Sequence, residues 1–358
     1  MKNERINYFD IAKGIGIILV VLGHMEYIDI NLRYVIVSFH MPLFFVVSGM
    51  LMNISNEETR DMKSYIKGKA KRIMLPYLSF SLLYLAVIVA LIFTSSDYTW
   101  TYFFENVWLA VCLYGISVLW FLPSMFFSSI IFVLMRKKLN HIITVISTLV
   151  AVIIAFYLNC GLALLNLSYS KEFYFYHLNL LLVGILRIPF ALMFICIGYY
   201  FWYAFKKIRL KSVFYIIIGI VLFIPVIFMS QINQAVDLHF LVFNIWYLFL
   251  LCSVMGSLSV IFISKGLDGI SNHFPIKVLR YYGKNSLIVM ATHMDCYVLY
   301  TAIIICLRFI DYCTRAKSYI FCTSIILLVL LFEIPIIEII NRFFPFFVGK
   351  SRRFFDTK

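Results

Sequence analysis

Residues 10–24 read DIAKGIGIILVVLGH and residues 38–49 read SFHMPLFFVVSG, with the polar stretch IDINLR between these two apolar runs. Each run belongs to an apolar segment of roughly 17–20 residues, which is long enough for a helix to cross a hydrocarbon core of about 30 Å. A chain that crosses lipid must satisfy its backbone hydrogen bonds internally, so such segments form helices. The stretch therefore predicts a helical hairpin that crosses a membrane twice.

The hairpin carries three ionisable side chains within its apolar runs: Lys13, His24 and His40. Lys13 and His24 are eleven residues apart, so on one helix they share a face and differ in height by about 16 Å. Counted from Asn31 in the turn, His24 and His40 lie at similar depth. One buried histidine alone is better explained as a structural hydrogen-bonding residue, but intramembrane charge is rare and tends to mark substrate or proton paths. Together the three groups predict a proton-transfer site with a basic mouth.

The composition excludes a soluble protein. Of the 358 residues, 63% are hydrophobic and only 13% are charged, a balance typical of integral membrane proteins. Most of the 31 Lys and Arg residues fall in alternate short connections, which predicts that both termini are cytoplasmic and that no nucleic acid is bound. The eight cysteines form no CxxC pair and no His/Cys cluster with metal-ligand spacing, so no metal site is expected.

Runs of about 20 apolar residues predict an all-α, polytopic membrane protein with about ten transmembrane helices. The predicted spans are residues 11–28, 33–54, 73–94, 118–135, 142–158, 180–203, 213–230, 240–263, 285–308 and 319–341. We assign residues 1–345 to one membrane domain and residues 346–358 to a basic cytoplasmic tail.

Further candidate residues lie outside the hairpin. Arg72 is the cation of the first cytoplasmic loop nearest the membrane, and it either binds lipid head groups or holds the phosphates of an anionic ligand. Trp120 belongs either to an interfacial aromatic belt or to a binding site. Arg187 is predicted about 10 Å deep in the sixth span and is expected to face the same cavity as the two histidines.

Later in the chain, His293 is a further ionisable group inside a predicted span, and Glu333 is expected to form a structural ion pair with a Lys or Arg. Two outer connections are long. Residues 95–117 are rich in aromatic side chains, and residues 159–179 supply Tyr, Asn, Ser and His side chains that can hydrogen-bond a polar ligand. Loops of this length are often functional.

Taken in order along the chain, these motifs resemble the acyltransferase-3 family of integral membrane acyltransferases, close to its fucose 4-O-acetylase-like group. Asp10, Lys13 and His24 match the family's opening pattern, although the family more often has arginine at the position of Lys13. The segments FHMPLFFVVSG, KRIMLPY, LWFLPSMF and GKNSLIVMATH follow in the family's order. The resemblance extends over most of the chain.

The resemblance implies a ten-helix enzyme of the bacterial plasma membrane. It would move an acyl group, usually acetyl, from acetyl-CoA to a sugar hydroxyl of a surface polysaccharide or a lipid-linked oligosaccharide. A histidine, with an ordinary pKa of about 6.5, is suited to removing the hydroxyl proton. Prior acylation of the histidine itself stays open as an alternative route. The expected roles are catalytic for His24 (the base), His40 and Lys13; coenzyme A binding for Lys13, Arg72, Asn285 and Ser286; and substrate binding for Arg187, Trp120 and His293.

Two other function classes stay open at this point. An exporter or flippase of a polysaccharide or lipid-linked sugar would line a translocation path with buried charges. A sensor or assembly partner would keep the fold without the chemistry. The gathering of ionisable groups near one hairpin, and the presence of His24, favour the enzyme. The expected partners are the glycan acceptor and membrane lipid, with a second copy of the chain or polysaccharide-assembly proteins as further candidates.

Overall fold

The computed structural model describes residues 6–164, 173–270, 273–294, 298–309 and 319–350. Within these ranges the protein is built from α-helices joined by short 3₁₀ and π turns. In chain order the α-helices are α1 (Asn7–Gly23), α2 (Ile30–Val37), α3 (His40–Ile54), α4 (Met62–Lys69), α5 (Leu75–Thr94), α6 (Trp100–Val111), α7 (Phe121–Lys138), α8 (His141–Leu164), α9 (Phe173–Phe205), α10 (Ser212–Asn233), α11 (Trp246–Ile270), α12 (Phe274–Lys284), α13 (Ser286–Thr292), α14 (Val298–Phe309) and α15 (Tyr319–Phe343).

Eight helical stretches in the described part of the chain are long and apolar enough to cross a membrane. This confirms the prediction of an all-α polytopic membrane protein. The eight stretches are Ile30–Ile54, Met62–Thr94, Ser117–Lys138, His141–Leu162, Tyr176–Phe205, Ser212–Asn233, Trp246–Ile270 and Ile320–Phe343.

The first and ninth predicted spans differ from their expected form. The first was expected to reach residue 28, but α1 ends at Gly23; its 17 residues make a helix of about 25 Å. The ninth, expected as one helix over residues 285–308, consists of the two short helices α13 and α14. Among the described residues, the ten predicted spans thus correspond to eight long helices, one 17-residue helix and one interrupted span.

The chain divides into two compact units, and each is described by itself. The first unit comprises Met1–Glu57, Met193–His293 and Tyr297–Glu333, and the second comprises Glu58–Leu192, Met294–Cys296 and Ile334–Lys358. The predicted basic tail falls in the second unit, where Pro345–Val348 form a 3₁₀ turn. Residues 351–358 of that tail lie outside the described residues.

The central helix of the first unit is α1, which packs against α2, α3, α11, α12 and α13. Side chains all round α1 are buried, among them Phe9, Ala12 and Ile17. A helix that is apolar on every face is typical of one surrounded by other elements. The helix that carries Lys13, and that His24 directly follows, is therefore a core helix of this unit.

Glycines let α1 and α12 approach closely at their crossing. A Cβ added to Gly283 would overlap the backbone carbonyl oxygen of Asp10, and one added to Gly14 would overlap the carbonyl oxygen of Leu279. Small residues at such a contact allow helix backbones in membranes to pack tightly. The crossing joins the Asp10–Lys13 end of α1 to the end of α12 that precedes Asn285.

We expect Gly283→Ala to destabilise the first unit by about 1–3 kcal/mol, because the added methyl group meets backbone that cannot move aside. The measurement is the thermal unfolding midpoint of the purified protein in detergent. The control is Gly68→Ala in α4, where an added Cβ has no atom within 4 Å. Replacing that exposed helical glycine should raise stability by about 0.5–1 kcal/mol. Equal midpoints for the two variants would contradict the close crossing.

A helix break at Ser38 and Phe39 places His40 at the first residue of α3. Pro42 lacks the N–H that would bond to the carbonyl oxygen of Ser38 in a continuous helix. The hydroxyl of Ser253 in α11 donates to that carbonyl oxygen instead, at 2.8 Å. The proline therefore explains locally why the predicted second span is divided into α2 and α3.

Candidate active site

Two histidines from distant parts of the chain meet in the first unit. Nδ1 of His24 lies 3.0 Å from Nε2 of His293, and the two ring centroids are 5.1 Å apart. His24 follows the last residue of α1, and His293 follows the last residue of α13. Both rings therefore lie at helix ends. His293 is fully buried, whereas His24 is partly exposed.

The hydrogen-bond partners determine which ring nitrogen carries the proton in each neutral histidine. Nδ1 of His293 lies 2.8 Å from the carbonyl oxygen of Val289 and 3.0 Å from that of Met290. Carbonyl oxygens only accept, so Nδ1 of His293 donates and its Nε2 must accept. Nδ1 of His24 is then the donor to His293. This leaves the lone pair of His24 Nε2 as the acceptor that can take up a proton.

The turn after His24 is held by a charged side chain of the same hairpin. The guanidinium of Arg33 in α2 donates to the backbone carbonyl oxygen of Met25, whose side chain is fully buried. Because Met25 directly follows His24, this hydrogen bond restrains the backbone that carries the His24 ring.

The neighbour of His293 is anchored by a buried carboxyl group. The hydroxyl of Thr292 lies 2.9 and 2.8 Å from the two carboxyl oxygens of Glu333 in α15, and both side chains are buried. The expectation that Glu333 pairs with a Lys or Arg is thus corrected: its partner among the described residues is a threonine hydroxyl. The contact ties the end of α13, and so the backbone of His293, to α15.

The ring of His40 is held by a hydrogen bond of its own. Its Nδ1 lies 2.8 Å from the carbonyl oxygen of Ile36, so Nδ1 donates and Nε2 is the acceptor. The ring is buried. Of these three histidines, His293 uses its Nε2 lone pair to accept from His24, whereas His24 and His40 each retain an Nε2 acceptor.

Near the crossing of α1 and α12 the polar groups are an ion pair, an amide and a hydroxyl. The ammonium of Lys13 forms an ion pair with the buried carboxylate of Asp10, at 2.9 Å. Asn285 lies between α12 and α13, and its Nδ2 donates to the carbonyl oxygen of Tyr281 at 2.9 Å. Ser286 begins α13 and is partly exposed. Lys13 thus lies on α1, and Asn285 and Ser286 lie where α12 is followed by α13, two helices that both pack against α1.

The other predicted residues belong to the second unit. Arg187 is fully buried; its Nη1 donates to the carbonyl oxygen of Tyr114 at 2.9 Å. Its guanidinium lies 4.1 Å from the ring centroid of Tyr114 and 5.3 Å from that of Trp120. The structure therefore brings Arg187 and Trp120 together, in a packing arrangement typical of cation–π pairs. Arg72 is exposed in the π turn Ala70–Met74. Their substrate and coenzyme A roles stay predictions.

Chemically, the histidine pair can hold and transfer one proton. When His24 Nε2 takes up a proton, Nδ1–H of the resulting imidazolium still donates to His293 Nε2, and a charged donor strengthens that bond. The residues of this cluster offer no metal-binding arrangement, since no group of three or more His, Cys, Asp or Glu side chains in the described ranges is placed to hold an ion.

Sequence reasoning found both histidines but missed that they contact each other. The two are 269 residues apart, and helical periodicity carries no information about which helices become neighbours. A local signal did exist: Gly283 and Gly14 mark helices able to pack closely. Pairing those glycines would have placed α13 next to α1.

Comparison with known proteins identifies the family of this chain. A family model described as an acyltransferase domain matches residues 6–332, a range that contains Lys13, the three histidines and Arg187. No curated protein and no solved structure matches the chain significantly. Because the family model covers nearly the whole chain, this protein belongs to the acyltransferase-3 family.

Proposed function

We propose that this membrane acyltransferase transfers an acetyl group from acetyl-CoA to a sugar hydroxyl of a cell-surface polysaccharide or of its lipid-linked precursor. The observation that carries the proposal is the 3.0 Å contact between His24 and His293, which leaves His24 Nε2 as a proton acceptor. Family membership supports acyl transfer; the donor, the acceptor and residue roles are our proposal. Membership of this family also favours acyl transfer over export of a polysaccharide as the function.

In the proposed reaction His24 acts as the general base. Nε2 removes the proton from the sugar hydroxyl while the hydroxyl oxygen attacks the thioester carbonyl carbon. The C–S bond then breaks, and the proton on His24 passes to the departing thiolate of coenzyme A. One ester forms, one thioester is cleaved, and the histidine returns to its neutral tautomer. General base catalysis of this kind contributes about 10²–10⁴-fold to a rate.

A second route uses the same nitrogen as a nucleophile. Nε2 of His24 would attack the thioester carbonyl, form an acyl-histidine and release coenzyme A before the acceptor arrives. In this route His40, whose Nε2 is an acceptor, would remove the proton of the acceptor hydroxyl as the ester forms and His24 leaves as the neutral imidazole. Both routes need the tautomer that His293 imposes on His24.

Coenzyme A carries phosphates that need cationic or N–H partners. Lys13 supports this role because an ammonium has three N–H donors and Asp10 engages one side of it. Asn285 and Ser286 supply polar groups at the same helix crossing, and Arg72 supplies an exposed guanidinium in the second unit. The proposed location is the bacterial plasma membrane, where cytoplasmic acetyl-CoA and outward-facing glycans are both within reach.

The experiment is transfer of labelled acetyl from acetyl-CoA by the purified protein in proteoliposomes, with and without a surface-glycan fraction. Base-labile label on the glycan is expected. Release of coenzyme A and label on the protein without acceptor would establish the acyl-histidine route. If correctly folded protein neither transfers label nor releases coenzyme A, the proposed function is wrong.

A further inference from the structure

The second unit contains a cavity of about 300 Å³ that the proposed chemistry does not use. It is enclosed by α6, by the turn that precedes α7 and by the beginning of α9. Its lining residues lie in 102–117 and 176–180, parts of the described chain that belong to or border the two long connections predicted to face outward. Six of its lining residues carry polar or aromatic groups: Tyr102, Glu105, Asn106, Ser117, Tyr176 and His177.

The cavity has a fixed wall and an accessible rim. His177 is buried, with its ring edge-on to Trp108 at 5.2 Å and to Tyr176 at 5.3 Å. Asn106 is also buried, and its Nδ2 donates to the carbonyl oxygen of Tyr102 at 2.8 Å. Tyr102 and Tyr176, by contrast, are 43% and 44% exposed. Side chains in the wall are therefore already held in place before any ligand arrives.

This combination of groups suits a sugar ring. A pyranose presents hydroxyl groups, which need acceptors and donors, and an apolar C–H face, which packs on an aromatic ring. Glu105 can accept hydrogen bonds from two hydroxyls, and the tyrosine rings provide apolar surface with a polar tip. Most ligand pockets combine apolar walls with a few placed polar groups, and a volume of about 300 Å³ is at the small end of their range.

The charge of the cavity selects among sugars. Glu105 is its only acidic lining residue, and no Lys or Arg is among the residues that line it in the described structure. An acidic sugar would bring its carboxylate close to Glu105 without a cation to compensate, which is costly where water is partly excluded. The cavity should therefore prefer an uncharged pyranose over a uronic acid.

The cavity is separated from the basic connections by membrane-spanning helices. α5 begins just after Lys71 and Arg72 and leads to α6, and α8 begins just after the cluster of cations at 136–138 and leads to α9. Basic connections remain on the cytoplasmic side of a membrane. The cavity then lies on the outer side, where a surface glycan is found.

We propose that this cavity binds an uncharged pyranose ring of the acceptor glycan. Its role as an acceptor site rests on the proposed acyltransferase function, whereas the binding of the sugar does not depend on it. The cavity thus sets which glycans reach the enzyme, through Glu105 and the two exposed tyrosines.

The binding test uses saturation-transfer NMR on full-length His24→Ala protein in detergent, so that no turnover occurs. The probes are a panel of neutral methyl pyranosides and the methyl glycoside of glucuronic acid. We expect at least one neutral probe to bind and the uronic acid to bind at least tenfold more weakly. Glu105→Gln should reduce that selectivity, and Tyr176→Ala should weaken binding of the neutral probe at least tenfold.

Matched controls come from the same outer segment. Asp97→Asn removes an exposed carboxylate, and Phe104→Ala removes an aromatic ring that is 64% exposed; neither residue lines the cavity. Both control variants should bind the neutral pyranoside with the same affinity as the parent protein. Absence of binding by every neutral probe, or equal losses in control and cavity variants, would overturn the proposal.

A kinetic test on the active protein separates this proposal from the proposed function. Tyr176→Ala should raise the KM for the glycan at least tenfold, whereas the KM for acetyl-CoA should change less than twofold. A cavity variant with an unchanged KM for the glycan would overturn the acceptor role. Sugar binding without any acetyl transfer by wild-type protein would refute the enzymatic function and leave the sugar site standing.

Discussion

Replacement of His24 by alanine is expected to lower the acyl-transfer rate by about 10³-fold, because the proposed base removes the hydroxyl proton in the transition state. The His24→Asn variant should show an equally large fall in the acyl-transfer rate. Its amide N–H can still donate toward His293 Nε2, but it has no basic nitrogen in the position of His24 Nε2. The measurement is kcat for transfer of labelled acetyl to the glycan in proteoliposomes.

The matched control is His141→Ala, which removes an exposed histidine at the start of α8. This variant should retain activity within twofold of wild type. Size-exclusion profiles and unfolding midpoints of all three variants test whether the site, and not the fold, has changed. Full activity in well-folded His24→Asn protein would exclude His24 as base and as nucleophile.

Substitution of His293 is expected to have the second largest effect, although this residue need not touch the reacting atoms. His293→Phe removes the acceptor for the His24 Nδ1–H group, so neutral His24 is no longer held in the tautomer with an Nε2 lone pair. We expect kcat to fall by about 10²-fold, since an incorrect tautomer is costly where a histidine acts as base. The KM for acetyl-CoA should change less than threefold.

Two further readouts separate positioning from mere packing. His293→Gln retains an acceptor oxygen, so it should recover about tenfold of the activity lost in His293→Phe. In ¹⁵N spectra, His24 should be protonated at Nδ1 in wild type and should show a mixture of tautomers in His293→Phe. If both variants lose activity equally and the His24 spectrum does not change, His293 has only a packing role.

The helices themselves could be predicted from the sequence, because hydropathy over about 20 residues is a local property. Their interruptions were harder to predict. Pro42 is a local signal for the break before His40, since it cannot donate to the carbonyl oxygen of Ser38. Asn285 gives a weaker signal for the break between α12 and α13. The break before His40 lies inside an apolar run that a hydropathy window reads as continuous, whereas Asn285 follows the polar end of α12.

The candidate site was found only in part. Lys13 was placed correctly on the first helix, whereas His24, expected inside that helix, is the residue that follows its last turn. The pairing of His24 and His40 across the hairpin was the expected one, yet the hydrogen bond joins His24 to His293. His293 therefore changes from a predicted substrate ligand to a residue that positions the base.

By itself, the sequence determined the helical membrane architecture, the family and the residues able to carry acyl-transfer chemistry. These properties depend on hydropathy and on motifs within short stretches of chain. Only the tertiary structure decided which ring nitrogen of His24 is basic and which two outer connections share a cavity. Both depend on contacts between residues far apart in the chain, such as His24 with His293 in the first unit and Trp108 with His177 in the second, which no local pattern reveals.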